Sequence, residues 1–218
     1  MMLTVRNVFP GASLVNDRFH VQQLISEAVD QLRIRHRWEV LDAENKAIRE
    51  HRRRRKNAAS KEERELIGQW QPERMENGET MPQIMARSRH IILKHKSKWN
   101  GQQKIRAGIL FRIFPDLEKA YGLFLKLVDI FNEKTYAGVA RLNLARWYNE
   151  VEAFGNNEFN KVPETFENHN TTIINYFERR LTNASAESFN AKIKAFRTQS
   201  RGVGDIKFFM FRLSTLYS

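Results

Sequence analysis

Residues 19–32, FHVQQLISEAVDQL, decide the fold class of this 218-residue chain. Apolar side chains recur there at the 3.6-residue spacing of a helix, at Val21, Leu24, Ile25, Ala28, Val29 and Leu32. Such a stripe predicts a helix with one face buried against other elements. The residues before it, ASLVND at 12–17, form a short run of small and β-branched side chains. They predict a strand and a turn that lead into the helix.

Beyond Arg33 the same helix becomes strongly basic, and its charge is densest at Arg52–Lys56. We predict one long helix or a helical hairpin here. It is followed by a loop at 71–83, QPERMENGETMPQ, in which two prolines and a glycine interrupt the helical pattern. The basic run is either an ordinary solvated helix face or a set of contacts to phosphate groups.

Almost all of the chain beyond this loop has the pattern of helices. The predicted helical stretches are 84–99, 102–114, 116–134, 137–155 and 163–181. No repeat or long linker separates them, so we predict a mainly α-helical protein with a single N-terminal strand. A lone strand cannot satisfy its backbone hydrogen bonds, so either it pairs with a segment outside this chain or these residues do not form a strand.

The composition favours a polyanionic partner. Lys and Arg number 37 against 25 Asp and Glu, which gives a net charge of +12, while 41% apolar residues suffice for a real core. Nucleic acid is the commonest partner of a protein this basic. A membrane surface is the competing partner, but the charge is spread over many helices and not gathered on one lipid-facing side.

The chain contains no cysteine, and this excludes disulfides, zinc–thiolate sites and thiol nucleophiles. Arg6 interrupts what would have to be the apolar core of a signal peptide, and no apolar run is long enough to cross a bilayer. We therefore expect a soluble cytoplasmic protein without a membrane partner.

A second helix of interest begins in the stretch LTNASAESFNAKIKAF, residues 181–196. Glu187, Asn190, Lys194 and Arg197 fall on one face, opposite an apolar stripe. The ordinary interpretation of Glu187 is an acid that complements the positive end of the helix dipole. Likewise, Asp17 at the turn before the first helix has the ordinary interpretation of an N-cap.

Three segments together resemble the DDE transposases of ISL3-type insertion sequences. FPGASLVNDRFHVQQLISEAVDQLR (9–33) is similar to the element that carries the family's second aspartate. FPDLEKAYGLFLKL (114–127) resembles a helix of its helical insertion, and INYFERRLTNASAESFNAKIKAF (174–196) resembles its closing element with the catalytic glutamate. Their order and spacing agree over nearly the whole chain.

The resemblance implies that Asp17 and Glu187 are catalytic and bind metal, and that Asn190, Lys194 and Arg197 contact DNA. The net positive charge, and not the resemblance, favours phosphate contact by Arg52, Arg53, Arg54 and Arg55. The cofactor would be Mg²⁺ or Mn²⁺ in a two-metal site of the full-length protein, because displacement at phosphorus uses such metal pairs. The partners would be transposon ends and target duplex DNA, bound by a homo-oligomer.

The implied architecture is a partial RNase H-like core with a large all-helical insertion. Residues 1–45 would hold the second-Asp strand and its helix, 46–180 the insertion, and 181–218 the Glu-bearing and C-terminal helices. The family's first aspartate lies well upstream of the second, and this chain begins sixteen residues before Asp17. We therefore expect a truncated, catalytically incomplete transposase. The alternative is a non-catalytic helical DNA-binding protein derived from one.

Overall fold

The computed structural model describes residues 14–16, 18–180, 184–199 and 204–217. Within them the chain is mainly helical, as predicted, and the helices are α1 (Arg18–Lys56), α2 (Lys61–Ile67), α3 (Met81–Ile92), α4 (Gly101–Ile113), α5 (Pro115–Asn132), α6 (Ala137–Phe154), α7 (Lys161–Arg179), α8 (Ala184–Gln199) and α9 (Ile206–Tyr217). Two short 3-10 turns, Lys96–Lys98 and Asn157–Phe159, connect α3 to α4 and α6 to α7.

The first half of α1 is the spine of the fold. Its apolar stripe is buried, with Ile25, Val29 and Leu32 fully enclosed. This face packs against α3, α5 and α7, and further contacts join α5 to α6 and α6 to α7. One continuous apolar core results, and it includes side chains from α1 and from α3 through α7. The stripe in the sequence therefore predicted the buried face correctly.

The second half of α1, residues 37–56, forms an arm that we call the arginine arm. None of its side chains is buried, whereas every buried residue of α1 lies between Val21 and His36. At 1.5 Å per residue these twenty positions extend about 30 Å. The short helix α2 follows and packs against α1, and the His51 and Trp70 rings meet in an edge-on contact at 5.6 Å. The prediction of a long helix is confirmed.

Two buried polar side chains of α1, Arg33 and His36, have carboxylate partners. Arg33 donates to Asp30 at 2.6 Å. His36 lies with one ring nitrogen 2.7 Å from Glu39 and the other 2.8 Å from Asp116 at the start of α5, and its ring lies 4.5 Å from that of Phe114. Buried polar groups are tolerated when they are hydrogen-bonded. The Arg33–Asp30 and His36–Glu39 pairs lie within α1, whereas the His36–Asp116 contact joins α1 to α5.

The predicted loop at 71–83 is confirmed as far as Glu79. Thr80 is the N-cap of α3 and forms a reciprocal capping box with Gln83, so the last three residues of the predicted loop belong to the first turn of that helix. Gly78 has φ 77°, a conformation that glycine adopts without strain. An isolated bridge between Arg74 and Thr80 closes the turn.

Glu79 joins this turn to α3 and α4. Its carboxylate accepts two hydrogen bonds from Arg106, at 2.6 and 3.0 Å, and lies 2.8 Å from Arg87. The hydrogen bonds from Arg106 lower the pKa of Glu79 below its ordinary value. Only 16% of this side chain is exposed, so the pairs are shielded from much of the solvent.

We expect the Glu79→Gln variant to lose about 1.5 to 3 kcal/mol of unfolding free energy at pH 7, because charge-assisted hydrogen bonds are replaced by neutral ones. Since the pKa of Glu79 is lowered by folding, this stabilisation is present above the unfolded value and is lost as pH falls through the folded one. Urea unfolding at pH 7 and at successively lower pH should show the two proteins converging. Glu73→Gln, an exposed neighbour, is the control, and equal losses in both variants would contradict the prediction.

The predicted N-terminal strand is not observed in its described part. Residues 14–16 belong to no strand or helix, and Ala12, Ser13 and Asp17 lie outside the described residues. These residues do not form a strand because their backbone hydrogen-bonds to helix α7 and not to another extended segment. Among the described residues the sole β-pairing is the bridge at Arg74 and Thr80.

Helices α8 and α9 form a C-terminal hairpin. The rings of Phe196 and Phe209 lie 5.3 Å apart, and Phe196 and Leu213 are buried outside the main core. Other large side chains of α9 remain exposed, including Ile206 and Phe211. The boundary predicted at residue 45 falls inside α1, which continues through it without interruption.

Candidate nucleic-acid interface

The chain enters and leaves its helical body at one place, which we call the entry–exit junction. The Asn16 amide donates to the carbonyl of Thr172 at 2.9 Å, and the Asn175 side chain donates to the carbonyl of Leu14 at 2.9 Å. Both partners lie in the second half of α7. The residues that flank position 17 are thus held against the helix that precedes α8.

Arginines at the two ends of the body hold the junction to the end of α5. Arg18 donates to the Asn132 side chain at 2.9 Å. Arg180 donates to the carbonyls of Phe131, at 3.0 Å, and of Glu133. Its guanidinium also lies 5.8 Å from each of the ring centres of Tyr176 and Phe177. These contacts hold Arg180 in a left-handed conformation, φ 48°, that ends α7.

Helix α8 begins four residues after Arg180 and presents a polar face. Asn190, Lys194 and Arg197 are exposed. With 100° per residue, the backbone positions 187, 190, 194 and 197 fall within an arc of about 80°. The opposite side carries Phe196, which packs on α9. The predicted amphipathic division is therefore observed for the described side chains, and Lys194 and Arg197 lie on the exposed face.

The two acids singled out in the sequence are less fully described. Asp17 lies outside the described residues, and Glu187 is described in its helical backbone but not in its side chain. Their separation stays a prediction. The structure does bring the neighbouring segments together. Asn16 contacts α7, Arg18 contacts α5, and α7 is the helix that precedes α8.

The predicted arginine cluster lies at the end of the arginine arm. Arg52, Arg53, Arg54 and Arg55 are all exposed and occupy the last turns of α1. In the described part of the chain none of the four forms an ion pair with a carboxylate. Cations near a helix C-terminus are favoured by the dipole, and this accounts for part of the cluster without a ligand.

A family comparison decides what kind of protein carries these surfaces. The family model described as Transposase, of the DDE ISL3 type, matches residues 1–213. The chain belongs to the ISL3 family of DDE transposases. No curated protein and no solved structure matches it.

Membership in this transposase family confirms the resemblance seen in the three sequence segments. It supports a transposase function and implies DNA as the partner. In the described residues, no helix is long and apolar enough to span a membrane.

DDE transposases generally use divalent metal ions, so the fit of the side chains to a metal matters. Among the described residues there is no group of three or more His, Asp or Glu that could hold a metal ion. The family resemblance assigns metal binding to Asp17 and Glu187, whose side chains are not among those that the structure describes. Carboxylate oxygens are the hard ligands that Mg²⁺ and Mn²⁺ prefer, so the chemistry of both residues is suitable.

The residues that build the entry–exit junction were not predicted. Thr172 and Asn175 lie on a helix whose pattern resembles any amphipathic helix, and nothing in their spacing indicates a contact with residues 14–16. Arg180 offered a weak signal, because two adjacent arginines end the helical pattern just before the LTNAS turn.

Proposed function

We propose that this transposase performs metal-dependent cleavage and transfer of DNA strands for an insertion sequence. Asp17 and Glu187 would hold the metal ions, and α8 would contact DNA through Asn190, Lys194 and Arg197. The partners would be transposon ends and target duplex DNA, and the protein would act as a homo-oligomer on DNA in the bacterial cytoplasm.

The observation that carries this proposal is the entry–exit junction. The ordinary interpretations of Asp17 as an N-cap and of Glu187 as a dipole acid give the two residues no reason to approach each other. Hydrogen bonds from Asn16 and Asn175 nevertheless hold the flank of position 17 to α7, twelve to fifteen residues before Glu187. A shared metal site requires such an approach, because two metal ions under 4 Å apart serve one phosphate.

Each group of the chain would have a separate task in the reaction. Asp17 and Glu187, as carboxylates, would hold Mg²⁺ or Mn²⁺. When bound, the metal pair supplies activation of the attacking oxygen and stabilisation of the leaving oxygen. Lys194 and Arg197 would neutralise neighbouring phosphates and fix the register of the duplex, while Asn190 would hydrogen-bond to the backbone.

We further propose the division implied by the family. Residues 1–45 and 181–218 would belong to an RNase H-like core, and 46–180 would be its helical insertion. Two features support this division. The helical body begins and ends at one place, as an insertion must, although it begins near Asn16 and so includes the first half of α1 together with residues 46–180. In addition, α9 exposes Ile206, Met210 and Phe211, which is typical of a helix that packs on a further layer.

The metal site can be tested without an activity assay. Fe²⁺ with ascorbate and peroxide cuts a polypeptide close to where the metal is bound. We expect cuts near residue 17 and near residue 187, and excess Mg²⁺ should suppress both. Asp17→Asn or Glu187→Gln should each remove both sets of cuts, because one shared site needs both carboxylates.

The matched controls are Glu118→Gln and Glu164→Gln, which neutralise exposed acids of α5 and α7. They should leave the cutting pattern unchanged. Cuts at only one of the two positions would contradict the shared site. Cuts that persist in the Asp17→Asn variant and in the Glu187→Gln variant would contradict it too. A wild-type chain that is not cut but binds DNA would favour the non-catalytic alternative.

A further inference from the structure

A second strongly basic surface lies far from α8 in sequence. Residues 80–115 contain eight Lys and Arg and no Asp or Glu, whereas the average acid content of the chain would place about four acids there. The stretch comprises α3, the 3-10 turn Lys96–Lys98 and α4. Such a one-sided stretch creates a local positive potential, which is the electrostatic feature that attracts polyanions.

In the described residues the arginines of this stretch form ion pairs with carboxylates, whereas its lysines do not. Arg87 and Arg106 pair with Glu79, Arg112 pairs with Glu76, and Arg89 lies 3.8 Å from Asp30. The lysines of the stretch are Lys94, Lys96, Lys98 and Lys104. In the part of the chain that the structure describes, no carboxylate pairs with any of them. Lys94 reaches the Gln103 side chain at 3.4 Å, and the other three are exposed.

Fold stability does not explain these lysines. Lys104 lies in the first turns of α4, where a positive charge opposes the helix dipole, and the first turn of α4 contains no acid. Lys96 and Lys98 lie in the adjoining 3-10 turn, so their charges add to the same repulsion. The arrangement costs the free protein some stability, and an anionic ligand would reverse that cost.

The turn that carries the lysines is held on a rigid aromatic base. The Tyr121 hydroxyl donates to the Lys94 carbonyl at 2.7 Å, and the Trp99 indole donates to the Ile91 carbonyl at 3.0 Å. The rings of Trp99 and Tyr121 stack at 5.4 Å, with Phe111 beside them. Burial raises the pKa of Tyr121, so this hydroxyl stays a donor. The lysines therefore project from a fixed backbone.

We infer that Lys96, Lys98 and Lys104, which we call the lysine turn, bind the phosphate backbone of duplex DNA. A groove of about 500 Å³ is lined by Arg89, His90, Leu93, Lys94 and Gln103, and two of these residues, Lys94 and Gln103, are close to the lysine turn in sequence. Lysine acts as a point charge toward phosphate, so the contact carries no base specificity. The inference rests on the proposed function for its choice of DNA, but it assigns DNA contact to the insertion as well as to α8.

The test is the salt dependence of binding to a fluorescent 30-base-pair duplex of arbitrary sequence. Each lost phosphate contact lowers the slope of log affinity against log salt by about 0.9. The triple variant Lys96→Ala, Lys98→Ala, Lys104→Ala should therefore reduce the slope by up to about 2.7, and should weaken binding about tenfold or more at 0.1 M salt. Bound DNA should also protect these three lysines from acetylation, as read by mass spectrometry.

The matched control removes three exposed lysines elsewhere, Lys119, Lys134 and Lys161, with the same loss of net charge. It should keep the wild-type slope, and its lysines should be acetylated equally with and without DNA. If the wild type binds and the two triple variants behave alike, the lysine turn is a solvated surface and this inference alone fails. If the wild type does not bind duplex DNA, the proposed function fails with it.

Discussion

Replacing Trp147 with Ala is expected to lower the free energy of unfolding by about 3 to 5 kcal/mol, the usual cost of deleting a large buried aromatic side chain. Trp147 is 2% exposed and joins three helices. From α6 it donates to the Leu123 carbonyl in α5 at 2.8 Å, and its ring lies 4.9 Å from that of Phe166 in α7. The variant therefore creates a cavity and removes the hydrogen bond that joins α6 to the Leu123 carbonyl of α5.

Thermal unfolding followed by far-UV circular dichroism measures this effect without relying on tryptophan fluorescence. For a chain of this size the loss corresponds to a fall in Tm of about 6 to 20 °C. Trp38→Ala is the matched control, because that tryptophan is 63% exposed and its removal should change stability by no more than about 0.5 kcal/mol. Similar shifts in the two variants would contradict the described packing of α5, α6 and α7.

Replacing Arg52, Arg53, Arg54 and Arg55 together with Ala is expected to weaken binding to duplex DNA and to flatten its salt dependence. If all four contact phosphates, the slope of log affinity against log salt falls by up to about 3.6, because each contact contributes about 0.9. The four side chains are exposed, and the arginine arm buries none of its residues, so the fold should be unaffected. Fluorescence anisotropy between 50 and 200 mM salt measures the slope.

A control with the same change in net charge separates contact from a general effect of charge. The variant Lys119→Ala, Lys134→Ala, Arg141→Ala, Arg146→Ala removes four exposed cations from α5, α6 and the loop between them. It should retain most of the wild-type slope. Equal slopes in the two variants would mean that the arginine cluster is an ordinary solvated helix end, as the dipole at the end of α1 allows.

Several features were predictable because they depend on neighbours in sequence. The stripe from Val21 to Leu32 predicted a buried helix face. The predicted stretches 102–114 and 116–134 meet at Pro115, where α5 begins, because proline is favoured at the first helical position. The loop at 71–83 was predicted from its prolines and glycine, with a misplaced end because Thr80 and Gln83 form a capping box. The transposase family was predicted from three segments in register, and the family comparison confirms it.

Whether residues 12–17 form a strand could not be predicted from neighbouring residues alone. A strand exists only when another strand supplies its hydrogen bonds, and the local preference of residues 14–16 does not determine which neighbour the fold provides. Here the Asn16 amide finds the Thr172 carbonyl of α7. The carboxylates of Asp17 and Glu187 depend on the same kind of long-range arrangement, and their separation stays a prediction.

The sequence by itself determined the helical class, the ends of α4 to α7 to within two residues, the basic character and the family, because periodicity, capping and charge are properties of adjacent residues. The tertiary structure alone decided that the chain enters and leaves its helical body at one place, where Asn16 and Asn175 form hydrogen bonds between residues 14–16 and α7. It also decided that Glu79, Glu76 and Asp30 pair with the arginines of 80–115, whereas in the described residues no carboxylate pairs with the lysines of that stretch. The physical reason is that both results depend on side chains that are distant in sequence and meet only after the helices have packed.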